Sequence, residues 1–237
     1  MAEAAEENRE KFREKNMTAF VLGASGEVGK ELVKELLTSK VFRRLVLIGR
    51  RELKFEDELY KDVEQKVVNF EKIEDHADAF EGLNVGFCCL GTTRGKAGAQ
   101  GFYRVDHDYV VNSAKVALGK SCKHFHLVSS TGANRHSSML YQKTKGEVEA
   151  ELTDLGFERL VIYRPAILMC DRQESRPMEK VARVLLRPIA WGFPTLMTVP
   201  TSTVAKAMVN AAVTPSEEKV TLMTNKMIHE LSGDLKK

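Results

Sequence analysis

Residues 18–29 read Thr18-Ala19-Phe20-Val21-Leu22-Gly23-Ala24-Ser25-Gly26-Glu27-Val28-Gly29, an apolar run broken by glycines at the first, fourth and seventh positions of a heptad. The run is continuous rather than alternating, as a strand covered on both faces requires. Beyond the turn, Val28, Leu32, Val33, Leu36 and Leu37 recur at helical spacing with charges opposite them. A strand, a glycine turn and a helix in that order commit the chain to an α/β architecture, because parallel neighbours need a crossover and cannot be joined by a tight hairpin.

The alternation repeats. Strands are expected at Arg44 to Ile48, Lys66 to Phe70, Val85 to Leu90, Phe125 to Ser129 and Leu160 to Tyr163, with a short extra strand at Lys219 to Met223. Helices are expected at Asp75 to Phe80, Asp106 to Ala117 and Gln142 to Leu155. The expected fold is a doubly wound parallel sheet of Rossmann type with helices on both faces. Residues 2–15 carry Phe12 as their one large apolar side chain, and 1–17 read as a polar helical appendage that buries little. Residues 18–237 read as one domain with a small C-terminal substrate or lid region. A chain of 237 residues buries enough surface to need no staples.

The glycine turn has a chemical reading. Glycine permits unusual φ and close approach, and a helix start offers unpaired N–H groups and a positive dipole end, which together suit a pyrophosphate. Gly23, Ser25, Gly26, Glu27, Val28 and Gly29 are the candidates for that role. Glu27 suits the dipole but would repel a phosphate, so its side chain is expected to point away, towards a ribose. About 20 residues further on, where an acidic side chain would meet an adenosine ribose, the chain has Gly49-Arg50-Arg51. Two guanidiniums there favour a 2′-phosphate, hence NADP(H) rather than NAD. Asn69 stands at the end of the third strand, where its amide oxygen could accept from an adenine amine.

Tyr141-Gln142-Lys143-Thr144-Lys145 places a phenol and an ammonium four residues apart, on one face of a helix. A neighbouring cation lowers a tyrosine pKa towards the working range, which suits proton donation to a carbonyl. With the Gly-x-x-Gly-x-x-Gly turn, the strand end Leu127-Val128-Ser129-Ser130, Leu90-Gly91-Thr92-Thr93 and Tyr163-Arg164-Pro165, the sequence resembles the extended and atypical short-chain dehydrogenase/reductases. The resemblance implies Tyr141 and Lys145 as a catalytic pair and Ser130, with Ser129 in reserve, as the hydroxyl that orients the carbonyl. It also implies Leu90 and Gly91 passing the cofactor, Leu168 against the nicotinamide and Arg176 reaching a phosphate. Where extended members open the fourth helix with Asn-Val, this chain has Asp106-His107, which puts the usual proton relay in doubt.

The resemblance implies hydride transfer from NADPH to an unknown small carbonyl. For the atypical branch it also implies an alternative: a regulatory protein whose bound NADPH stabilises a shape recognised by partners in transcription, nuclear import and apoptosis, with little or no turnover. Near balance of 36 Lys+Arg against 33 Asp+Glu gives no reason to expect nucleic acid as a direct partner. Four cysteines without Cys-x-x-Cys spacing, and no run of about 20 apolar residues, point to a cytoplasmic protein, with the nucleus added by the resemblance. The six histidines show no metal-ligand spacing, so no metal is expected. The basic stretch Arg172, Arg176, Lys180, Arg183 and Arg187 reads first as a helix with one solvated face, then as a lid or a surface for an acidic partner or peripheral membrane contact. Trp191, Phe193 and Leu196 are candidates for a pocket wall.

Overall fold

A computed structural model describes residues 2–169 and 198–233. Its centre is a seven-stranded, wholly parallel sheet of β1 (Thr18–Leu22), β2 (Arg44–Gly49), β3 (Glu64–Val67), β4 (Val85–Cys88), β5 (His124–Val128), β6 (Arg159–Arg164) and β9 (Val220–Thr224), in the order β3-β2-β1-β4-β5-β6-β9. This is the expected doubly wound fold. The order reverses between β1 and β4, so the loops leaving those two strands diverge around a crevice at their carboxyl ends.

The apolar run in β1 is continuous because each face has its own cover. Ala19 and Val21 join a cluster with Val28, Leu32 and Leu36 of α2 (Glu27–Ser39) and with Val204, Met208 and Ala211 of α6 (Thr201–Val213). Phe20 and Leu22 face the other way, towards Phe80, Val110 of α4 (Tyr109–Gly119) and Leu152 of α5 (Leu140–Asp154). Gly86 is small because a Cβ there would lie 2.5 Å from the Phe20 ring and 2.8 Å from Phe125. Those rings meet across the gap it leaves, with centroids 6.4 Å apart.

Several elements differ from the expectation. The N-terminal helix α1 (Ala2–Glu14) is not loosely attached: Phe12 is buried against Phe42 at 5.2 Å, edge to face. Arg9 also donates to Asn210 and Arg13 to the Ser39 carbonyl. The third strand ends at Val67 because Asn69 caps a 3₁₀ segment at Phe70–Phe80, turning Phe70 inward. The helix expected from Asp106 starts much earlier, as α3 (Arg94–Tyr103), and continues through a π-helical turn at Arg104–Asp108 into α4. Gly95, Gly98 and Gly101 obscure α3 in the sequence, and the Thr93 hydroxyl caps it. A small separate pair, β7 (Ile167–Met169) with β8 (Thr198–Pro200), is parallel, and α7 (Asn225–Ser232) follows β9. Asn225 ties these parts together by accepting from the Ala166 N–H at 2.8 Å. No helix among the described residues is long and apolar enough to cross a membrane.

A hydrogen-bonded polar pair lies within the core. His126 is fully buried in β5, with Nδ1 2.9 Å from the Tyr163 hydroxyl and Nε2 without a partner among the described residues. Burial, assisted by the Arg159 and His124 charges, holds its pKa well below the ordinary histidine value, so the folded protein keeps it neutral. The unfolded chain would protonate it near about pH 6.5, so its contribution to stability is present above that pH and is lost as pH falls. Urea denaturation of the wild type is expected to show stability falling below about pH 6.5 by about 1.4 kcal/mol per pH unit for each such histidine. His126→Leu should remove roughly one proton from that slope; an unchanged slope would exclude His126 as its source.

Candidate functional site

The glycine turn closes by a Gly26 N–H to Gly23 carbonyl bond of 3.0 Å and opens α2 directly. Two of its glycines answer to the protein's own packing. Gly23 has φ +81°, and a Cβ on it would sit 2.6 Å from the Cys89 carbonyl group; a Cβ on Gly29 would sit 2.1 Å from the Gly23 oxygen. Gly26 is looser, its nearest contact being 3.3 Å, and with Ser25 it forms the exposed tip of the turn. Val28 is buried, while Glu27 leans along the helix towards Lys30, 3.9 Å away. As N-cap, Gly26 brings no capping side chain, which leaves the first amides of α2 open to an anion.

Beside this tip lies a cleft of about 400 Å³ whose described walls include Ser25, Lys30, Arg51, Lys54, Glu56 and Asp57. Three cations meet two carboxylates there, and Asp57 is already engaged in accepting from the Leu59 N–H. Arg50 follows β2 on a separate course: its charge reaches Tyr109, whose hydroxyl donates to Glu71 at 2.6 Å. The two adjacent arginines therefore face different surroundings. Asn69 spends its oxygen on the Glu71 N–H at 3.0 Å, leaving one lone pair for any further donor.

The second half of the crevice is built on a buried ion pair. Asp106, carried on the π-helical turn, lies 2.9 Å from Lys145 Nζ and accepts from the Thr92 N–H at 2.7 Å. Both side chains are almost wholly buried. Burial alone pulls the Lys145 pKa down, but Asp106, with Tyr141 and a hydrogen bond adding to it, outweighs that and leaves the ammonium raised. Gly91 is exposed at this point, and a Cβ on it would approach the Asp106 carboxylate to 3.3 Å. Leu90 is partly buried against the core cluster that contains Tyr109. His107, the next residue on the turn, sits with its ring nitrogens 2.9 Å from Asp108 and 2.8 Å from Glu151, fastening the turn to α5.

The two serines at the end of β5 have different fates. Ser129 is buried and donates to Glu149 at 2.5 Å, and Glu149 in turn receives Arg164. The Ser130 hydroxyl is shielded and has no partner among the described residues. The reserve candidate is thus committed to the scaffold. Tyr141, in the first turn of α5, is half exposed, with its ring 5.7 Å from Phe102. It lines a pocket of about 420 Å³ together with Arg94, Ser138, Met139 and Leu140. Gly146 lets the loop before α5 pass closely: a Cβ there would fall 2.1 Å from the Arg135 nitrogen. Leu168 is partly buried in β7 against the opposite core cluster. Arg176 lies outside the described residues, as do Cys170, Arg172, Lys180, Arg183, Arg187, Trp191, Phe193 and Leu196.

A family described as NAD(P)H-binding matches residues 23–215, from the first glycine of the turn to beyond α6. The chain belongs to this NAD(P)H-binding Rossmann family. It is 51% identical over 226 residues to Protein HTATIP2 of Rattus norvegicus, covering 95% of this chain and 93% of that protein. It is also 32% identical over 206 residues to the protein fmp52, mitochondrial, of Aspergillus niger, covering 81% and 86%. Among solved structures, a putative NAD-dependent epimerase/dehydratase from Bacillus halodurans superposes with a TM-score of 0.66 at 20% identity, over 92% of this chain and 100% of that one. UDP-glucuronic acid 4-epimerase from Bacillus cereus in complex with NAD gives 0.66 at 14% identity, over 88% and 76%. At those identities the likeness is one of fold.

The residue of the candidate site whose part is least visible in the sequence pattern is Asp106. Its replacement of asparagine was visible, but its role as the buried counter-charge of Lys145 depends on a π-helical turn that no local spacing announces. Removing one member of a buried pair strands the other, so Asp106→Asn is expected to cost about 3 kcal/mol of stability. Adding Lys145→Met should recover at least half of that loss in urea denaturation. Simple additivity of the two substitutions would show that the pair is not energetically coupled.

Proposed function

We propose that this chain is an NADPH-dependent reductase of small carbonyl compounds. The observation that carries the reading is a shielded Ser130 hydroxyl without a partner among the described residues at the end of β5, beside a helix α5 that carries a half-exposed phenol on Tyr141 and, one turn on, a buried ammonium on Lys145. A buried hydroxyl left unpaired is costly, and a substrate carbonyl oxygen is the kind of acceptor that would satisfy it.

The residues also fit the cofactor. The uncapped start of α2, with Ser25 and Gly26 exposed and Glu27 turned towards Lys30, suits a pyrophosphate. Arg51 with Lys30 and Lys54 supports a 2′-phosphate, and Arg50 is assigned to the cofactor by its place after β2 alone. Leu90, Gly91 and Leu168 would border the nicotinamide half, with Arg176 assigned to a phosphate by resemblance. Bound NADPH supplies the hydride. Ser130 holds the carbonyl oxygen by a hydrogen bond, Tyr141 delivers the proton to it, and Lys145 keeps a positive charge beside the phenol as it gives up that proton. Asp106 holds Lys145 in place, and the exposure of Tyr141 lets it be reprotonated from solvent without an asparagine-anchored relay.

Calorimetric titration at fixed salt tests the cofactor choice. NADPH is expected to bind at least about tenfold more tightly than NADH, and Arg51→Glu should erase the preference by putting a carboxylate beside the 2′-phosphate. Equal affinities in the wild type would rule out the assignment of Arg51.

Tyr141→Phe tests the chemistry. It is expected to lower kcat for an aldehyde substrate by at least about 100-fold while leaving NADPH affinity within about twofold. The regulatory reading, with partners in transcription, nuclear import and apoptosis in cytoplasm and nucleus, predicts instead that biological activity survives that substitution.

A further inference from the structure

We propose that the pocket beside Tyr141 selects carbonyl compounds that combine an apolar body with an anionic group, and that Arg94 is the residue that recognises the anion. This rests on the reductase reading for the role of Tyr141, but the selectivity itself follows from the pocket. Its volume of about 420 Å³ suits a small molecule. Its described lining is Arg94, Phe102, Ser138, Met139, Leu140 and Tyr141, so Phe102, Met139 and Leu140 provide apolar wall and Ser138 and Tyr141 provide neutral hydroxyls. Arg94 supplies the one formal charge among those residues.

The environment of Arg94 leaves its guanidinium available. It is exposed at the first position of α3, directly after the capping Thr93, and no ion pair or hydrogen bond of its side chain occurs among the described residues. Elsewhere on this face the acids and bases satisfy one another: Arg104 pairs with Glu71, and Lys145 with Asp106. Met139 and Tyr141, 57% and 48% exposed, keep apolar surface open to an incoming ligand. A planar guanidinium at the rim of such a wall matches a carboxylate or phosphate with paired, charge-assisted hydrogen bonds. The Tyr141 phenol in the same lining then defines where the carbonyl must lie. A neutral molecule of the same shape would gain the apolar contacts alone.

A matched pair of probes decides this. 4-Carboxybenzaldehyde and its methyl ester share the same aryl aldehyde and differ in charge. Binding of each to the full-length protein loaded with NADP⁺ is measured by calorimetry at low ionic strength, and reduction of each with NADPH is followed separately. The carboxylate is expected to bind at least about tenfold more tightly than the ester. Arg94→Gln should abolish that difference by weakening the carboxylate and sparing the ester, and Arg94→Lys should restore part of it. Equal binding of the two probes, a preference that persists in Arg94→Gln, or binding of neither probe would each overturn the proposal. Preferential binding of the carboxylate without turnover of either probe would uphold the anion site and count against the reductase reading instead.

Discussion

The crevice of this molecule depends on one close approach: the backbone of Gly23 against that of Cys89, where β1 and β4 end side by side. A Cβ on Gly23 would come within 2.6 Å of the Cys89 carbonyl, and one on Gly29 within 2.1 Å of the Gly23 oxygen. Because α2 can tuck this tightly under β1, its amino end is brought to the point where the strand order reverses. Ser25, Gly26 and the cleft containing Arg51 all hang from that contact. The same approach sets where Leu90, Gly91 and Thr92 leave the sheet.

The other half of the crevice is organised by charge rather than by contact distance. Asp106 joins three pieces of chain: its own π-helical turn, the Thr92 amide after β4 and Lys145 on α5. A second buried carboxylate, Glu149, does the same for Ser129 and Arg164 at the ends of β5 and β6. Two carboxylates in the interior thus place the groups of the candidate site, and each carries a buried polar partner that would otherwise be stranded. The buried thiols take no part in this: burial pushes the Cys88 and Cys122 pKa values up to about 12, so they stay protonated and inert.

Much of the fold was legible because its signals are short-range. The uninterrupted β1 run, the three glycines of the turn and the spacing of Val28, Leu32 and Leu36 each act within a few residues, and the strand-helix alternation makes the sheet parallel. Elements whose signals were weak or divided were misread. The glycines of 94–101 hid α3, and Asn69 diverted Phe70 out of the third strand into a capped 3₁₀ segment. The burial of Phe12 has no local signal because its partner, Phe42, lies on a different part of the chain.

The sequence by itself determined the strand-turn-helix unit, the alternation that makes the sheet parallel, the two arginines at the end of β2 and the pairing of Tyr141 with Lys145 on one helix face. Only the tertiary structure decided which of two adjacent serines is spent on the scaffold, since that turns on Glu149, 20 residues away. It also decided that the two adjacent arginines part company and that Asp106 is the counter-charge of Lys145. The physical reason is the range of the forces. Backbone preference and hydrophobic period are set by near neighbours, whereas the partner of a buried polar group is chosen by whichever distant segments desolvation forces together.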